Sequence, residues 1–160
     1  MKLEKLIQES KKGNFPKILV DSELSNKKCE PATLRQGEML GSLLLEILKT
    51  TSNGVGLAAS QIGIQKRVCA INVEKPFFLI NPVIIGSFDR VNYNEGCLSF
   101  PGQEVITERY RNIAVNADNL PATTFFNGDN ATSLLEVVCI QHEIDHLDGI
   151  TMFDRAIEKS

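Results

Sequence analysis

At 160 residues, with 42% hydrophobic and 23% charged residues, the chain is sized for one globular domain with a sizeable core, and a single domain over residues 1–160 is expected. A formal net charge of −3 and a pI near 5.4 leave no basic footprint, which argues against a general nucleic-acid binder and for a small or peptide-like substrate. The N-terminus, MKLEKLIQESKKGNF, lacks the apolar core of a signal peptide, and the longest apolar run, in SLLLEIL, is far short of a membrane span, so a cytosolic protein is expected.

In chain order, residues 1–16 read as a polar arm leading into a short extended piece at Lys17 to Val20. Pro31 to Thr51 reads as a surface helix: Thr33 and Gln36 form a capping box, and Leu40, Leu43, Leu44, Ile47 and Leu48 recur at helical spacing. The small-residue stretch Asn53-Gly54-Val55-Gly56-Leu57-Ala58-Ala59-Ser60-Gln61 follows, where backbone can approach a ligand closely. Its G-x-G fragment lacks a preceding strand and a third glycine, so a dinucleotide fingerprint is disfavoured and a peptide-binding edge explains it better.

From Lys66 the pattern shifts to period two and to β-branched and aromatic residues, in RVCAINV, FFLINPVII and FDRVNYN, with further strands expected at Asn112 to Ala117 and Ala122 to Phe126. Short connections at Glu74-Lys75-Pro76 and Gly86-Ser87 suggest an antiparallel meander. The four cysteines, at 29, 69, 97 and 139, form no C-x-x-C pair, so in a reducing compartment each is a free thiol or a metal ligand. Cys69 sits among apolar strand neighbours and reads as a core thiol. Cys97, in Glu95-Gly96-Cys97-Leu98-Ser99 and shortly before Pro101-Gly102, is expected at the start of a sharply bent segment.

Ser133 to Gly149, SLLEVVCIQHEIDHLDG, reads as one buried helix, with Ser133 and Glu136 as its capping box and Gly149 as a left-handed C-terminal cap. At about 100° per residue, His142 and His146 share one face while Val137, Ile140, Ile144 and Leu147 share the opposite one. Two histidines at i and i+4 with Glu143 after the first make the H-E-x-x-H arrangement, in which both rings reach one cation and the carboxylate stands beside its water. A chance pattern on a core helix would bury two imidazoles without a partner, at a cost in desolvation.

The third ligand is left open by spacing. The extended H-E-x-x-H-x-x-G-x-x-H pattern fits through Gly149 but has Met152 at the last histidine, and downstream only Asp154 and Glu158 are carboxylates. Cys139 shares the metal face, but the helix rises about 10 Å from 139 to 146, too far for three successive turns to converge on one ion. An upstream thiolate is therefore the strongest candidate. Asp145 and Asp148 lie in the last turn, against the helix dipole, and call for partners; Arg109 or Arg111 could serve Asp145.

Taken together, GVGLAASQ (54 to 61), EGCLS (95 to 99) and QHEIDHLDG (141 to 149) resemble the three signature motifs of the peptide deformylase family, in the family's order and separated by 36 residues (61 to 97) and 45 residues (97 to 142). The resemblance implies an α+β fold, with antiparallel β-sheets packed around a central buried helix that carries the H-E-x-x-H site. It selects Cys97, with His142 and His146, as the metal ligands and makes Glu143 the general base and then acid. Gln61, through its side-chain amide, and Leu98, through its backbone N–H, become donors to the developing oxyanion. Gly54, Val55, Gly56 and Gly96 become contacts for the substrate backbone, with Ile140 and His142 lining part of a methionine pocket.

The implied activity is hydrolysis of the N-formyl group from N-formylmethionyl nascent peptides in a bacterial-type translation compartment, with transient ribosome association. The implied cofactor is one divalent ion, Fe²⁺ in cells, with Zn²⁺, Ni²⁺ or Co²⁺ able to substitute. The chain departs from many relatives at Glu104, where they carry arginine, and in the fourteen residues after His146, where many bacterial members continue into a further helix. A metallopeptidase would call for a downstream ligand, and a purely structural site for a fourth His or Cys and an idle Glu143; the sequence offers neither.

Overall fold

The computed structural model describes residues 2–157. Lys2–Lys11 is a helix (α1), not the polar arm expected over residues 1–16. Leu3, Leu6 and Ile7 fall on one face of it; Leu3 is buried and the other two pack against the core, while Lys2 donates to the Gly63 carbonyl at 3.0 Å. The extended piece at 17–20 does form: Leu19 N–H donates to the Gln61 carbonyl at 2.7 Å, and Asp21 N–H just after it donates to the Ser99 carbonyl at 2.8 Å. Helix α2, Leu34–Thr50, starts at the expected capping box, with Thr33 Oγ1 accepting from Gln36 N–H at 3.1 Å and Gln36 Oε1 accepting from Thr33 N–H at 3.0 Å.

The strands form two three-stranded antiparallel sheets rather than one meander. The first runs β1 (Gly56–Ala58), β2 (Val68–Ile71) and β3 (Phe77–Ile80); the second runs β4 (Val83–Cys97), β5 (Phe100–Asn116) and β6 (Thr124–Asn127). The break falls at Asn81-Pro82. Pro82 has no N–H for a ladder, Asn81 adopts φ 51°, and the Asn81 amide instead bonds both the N–H and the carbonyl of Ala32 at 2.9 Å. What read as separate strands around 88–94 and 112–117 are parts of one long hairpin of 15- and 17-residue strands.

Helix α3 is Ala131–Leu147, beginning two residues before the expected Ser133 because Asn130 is the cap: its Oδ1 accepts from Ser133 N–H at 2.9 Å, and Ser133 Oγ accepts from Asn130 N–H at 3.0 Å. The helix ends ahead of Gly149, which takes the left-handed φ of 76°. Every residue from Val137 to Leu147 is buried, because α3 is sandwiched between the two sheets. The first sheet is covered on both faces, so all four residues of β2 are buried. Val68 and Ala70 join Leu40, Leu44 and Leu48 of α2, and Cys69 and Ile71 join Ile140, Ile144 and Leu147 of α3. No helix among the described residues is long and apolar enough to cross a membrane.

Candidate active site

Cys97 closes β4 and pairs with Phe100 across the two-residue turn Leu98-Ser99, next to a register shift at Gly96, so its thiol sits where the chain bends sharply, as expected. Facing it on α3, His142 and His146 lie one turn apart. Their donor atoms and Cys97 Sγ all lie within 4.8 Å of one another. His146 Nε2 is 3.1 Å from His142 Nε2 and 3.4 Å from Cys97 Sγ. Bonds of about 2.0–2.1 Å to nitrogen and about 2.3 Å to sulfur, at a tetrahedral angle, put such donors roughly 3.3 to 3.6 Å apart. The cluster therefore has the spacing and the soft, mixed donor chemistry of a site for one divalent cation.

Cys139 does not join it, and its Sγ donates to the Val55 carbonyl at 3.4 Å. Cys69 is fully buried in the core, and Cys29 is buried with its Sγ 3.6 Å from Gln65 Oε1. Downstream, Asp154 accepts from Thr151 N–H at 2.9 Å, and Glu158 lies outside the described residues.

Behind the cluster runs a charge network, in which Arg109 rather than Arg111 is the partner of Asp145. His142 Nδ1 lies 2.8 Å from Glu95 Oε1, so a neutral ring that donates there keeps its Nε2 lone pair for the centre. Glu95 also accepts from Thr107 Oγ1, from Arg109 Nε at 2.5 Å and from Arg109 Nη2 at 2.9 Å. Arg109 Nη1 donates to Asp145 at 2.5 Å, and Arg155 completes the chain with two bonds of 3.0 Å to Asp145. Arg111 pairs instead with Asp89, and Asp148 with Arg67 at 2.8 Å.

Burial works to raise the Glu95 carboxyl, but Arg109 and His142 outweigh it and hold the group down at about 2. Burial likewise pushes both imidazoles down; His142 is nevertheless pushed up to about 10 by Glu143, Cys97 and Glu95, and its charge adds to burial in holding His146 at about 3.

Glu143 is the remaining carboxyl. Burial pushes it up to about 7, against the pull of His142, and its Oε1 is buried with no hydrogen-bond partner among the described residues. It faces a cavity of about 600 Å³ whose lining includes Val55, Gly56, Gly96, Cys97, Leu98 and His142. Gly56 is required here: a Cβ would stand 2.5 Å from Cys139 Sγ and 2.6 Å from Glu143 Oε2. Gly54 is set back from the lining, where a Cβ would meet Leu48, Thr51 and Leu98 at 3.1 to 3.4 Å.

Gln61 lies on a 3₁₀ turn after β1. Its Oε1 accepts from Ala58 N–H at 2.8 Å, which turns Nε2 toward Ser99 Oγ at 3.1 Å and Cys97 Sγ at 3.8 Å. Of the two residues expected along a methionine pocket, His142 lines the cavity and Ile140 does not. Ile140 is fully buried in the core, on the opposite face of α3. The apolar lining includes Tyr93, Phe100, Leu135 and Val138.

A profile of the polypeptide deformylase family matches residues 17–160. The peptide deformylase of Heliobacterium modesticaldum is 43% identical over 132 residues, covering 81% of this chain and 85% of that protein. That of Dictyoglomus turgidum is 42% identical over 126 residues, covering 77% and 80%. The crystal structure of peptide deformylase from Thermotoga maritima matches with a TM-score of 0.79 at 30% identity, over 89% of this chain and 98% of that one. With sequence and fold agreeing over nearly the whole length, the chain belongs to the polypeptide deformylase family.

Proposed function

We propose that residues 1–160 act as one catalytic domain that removes the N-formyl group from N-formylmethionyl termini of nascent polypeptides, releasing formate and a free amine. The family is metal-dependent, and Cys97, His142 and His146 are the ligands proposed for one divalent cation. The observation that carries the reading for this chain is the convergence of those three donors beside Glu143, a buried carboxyl with an orphaned oxygen at the head of a cavity.

A cation held there supplies Lewis acidity and lowers the pKa of a coordinated water towards about 7. Glu143 takes a proton from the attacking water and delivers it to the amine nitrogen as the formyl C–N bond breaks; a carboxyl that burial pushes up from its ordinary range suits both halves of that transfer. Gln61 Nε2 and Leu98 N–H donate to the carbonyl oxygen as negative charge develops on it, a role whose loss costs about 100- to 1,000-fold elsewhere. Val55, Gly56 and Gly96 pair with the peptide backbone as it lies along the cleft, Gly54 supports that edge from behind, and Tyr93, Leu135 and Val138 receive the methionine side chain.

Fe²⁺ is the ion proposed in cells, with Zn²⁺, Ni²⁺ or Co²⁺ substituting, because one thiolate and two imidazoles suit all four. The setting is the cytoplasm, with transient association with the ribosome. Formate release from formyl-Met-Ala-Ser by protein loaded anaerobically with Fe²⁺ or Ni²⁺ tests the reading. An acetyl-Met peptide should react far more slowly, because an extra methyl crowds the donors Gln61 and Leu98. Equal rates on the two, or cleavage of internal peptide bonds, would reassign the chain as a general amidase or peptidase.

A further inference from the structure

The rim of the cleft carries a charge that the chemistry at its floor leaves unused. Glu104, on β5, is exposed and stands opposite Gly96 in the register of the β4–β5 hairpin. Its Oε2 accepts from Asn94 Nδ2 at 2.7 Å, which ties the carboxylate to the outer face of the hairpin beside Gly96. A Cβ at Gly96 would meet nothing closer than the Gln103 carbonyl at 3.8 Å, so its bare backbone leaves that stretch of rim open. The lining of the cleft includes three carboxylates, Glu95, Glu104 and Glu143, and no lysine or arginine. Glu95 is paired with Arg109 and hydrogen-bonded to His142, and Glu143 is buried at the metal cluster. Glu104 is therefore the lining charge that meets solvent and incoming peptide.

On the deformylase reading, a peptide with its formyl group at the cluster and its methionine against Leu135 and Val138 would extend along a lining that includes Gly96, Gln103 and Glu104. We propose that Glu104 is a specificity-determining residue that favours lysine or arginine, and disfavours aspartate or glutamate, among the residues after formylmethionine. The inference rests on the deformylase reading and extends it to the sequence of the substrate. An exposed carboxylate gains or loses about two- to fivefold against a single charge, so opposite charges on two peptides should separate them by roughly tenfold at low salt. The preference should sit in KM, since the contact is the same in the ground and transition states, and should fade towards 1 M salt, where the screening length is about 3 Å.

The test compares kcat/KM for formyl-Met-Ala-Lys, formyl-Met-Ala-Glu and formyl-Met-Ala-Ser on Ni²⁺-loaded wild type, Glu104→Gln, Glu104→Lys and Glu46→Gln. The last variant makes the same change in net charge on α2, away from the cleft lining. The expected result is a Lys-over-Glu ratio near tenfold in wild type and Glu46→Gln, near one in Glu104→Gln, and inverted in Glu104→Lys. A ratio near one in wild type, or one that survives Glu104→Gln, overturns the inference while leaving deformylation intact. No formate from the neutral peptide would overturn the deformylase reading and this inference together.

Discussion

Glu95 is the position where one substitution tests both the stability of the fold and the support of the metal site. Its carboxylate is 4% exposed and accepts from Thr107, from two nitrogens of Arg109 and from His142. Glu95→Gln keeps the shape and removes the charge. The folded-state value of about 2, against a reference of 4.5, makes the charged form worth on the order of 3 kcal/mol to the folded state at neutral pH. Because the folded value is depressed, that contribution is fully present above about pH 4.5 and is lost as pH falls through about 2. Chemical denaturation of the metal-free proteins should therefore show wild type about 3 kcal/mol more stable than Glu95→Gln at pH 7, with the gap narrowing to roughly 1 kcal/mol near pH 3. The metal-loaded variant should also bind its ion about 10- to 100-fold more weakly, because His142 loses the carboxylate that orients its ring. A gap that is absent at pH 7, or that does not change between pH 7 and pH 3, would refute the assignment of Glu95 as a buried counter-ion.

Glu143→Gln should keep one equivalent of metal and lose most hydrolysis, since the side chain moves protons without binding the ion; metal analysis beside kinetics decides it, and activity within about tenfold of wild type would dismiss the general-base role. Cys97→Ala should lose most bound metal and nearly all activity, whereas Cys139→Ala should retain its metal at a packing cost of about 1 to 2 kcal/mol, and the opposite pattern would reverse the ligand assignment. Gly56→Ala should fold but turn over at least about tenfold more slowly, because its methyl displaces the Glu143 carboxylate; an unchanged kcat would show that this carboxylate has room to move.

Features set by short-range spacing are legible in the sequence alone. The capping box at Thr33 and Gln36, the stripe from Leu40 to Leu48 and the i, i+4 histidines each depend on one helix, and each is found where its pattern predicts. Helix rise alone separated Cys139 from the metal face's other donors. Choosing Cys97 called for the resemblance of EGCLS to a family motif, because a strand end and a helix 45 residues apart meet only through the tertiary fold. The polar composition of residues 2–11 hides a helix that the Leu3, Leu6, Ile7 spacing signals, and Asn81-Pro82 is a sheet break inside what the β-branched pattern presents as one strand.

The Arg109–Asp145 pair is legible from the helix dipole, whereas the Glu95 part of the network is hidden for a different reason. Along the hairpin Tyr93 faces Thr107, Glu95 faces Val105 and Val91 faces Arg109, so Glu95, Thr107 and Arg109 share the inner face. A period-two reading assigns charged residues to the solvent side, and here the buried side carries them, because each is neutralised by a group far away in sequence. The clue in the chain was chemical. A histidine that offers one nitrogen to a cation needs an acceptor for its other nitrogen, and a carboxylate is a strong partner for that role. Glu95, two residues before Cys97 on the same strand, is placed to supply it, and Arg109 is then the cation that makes a buried carboxylate there tolerable.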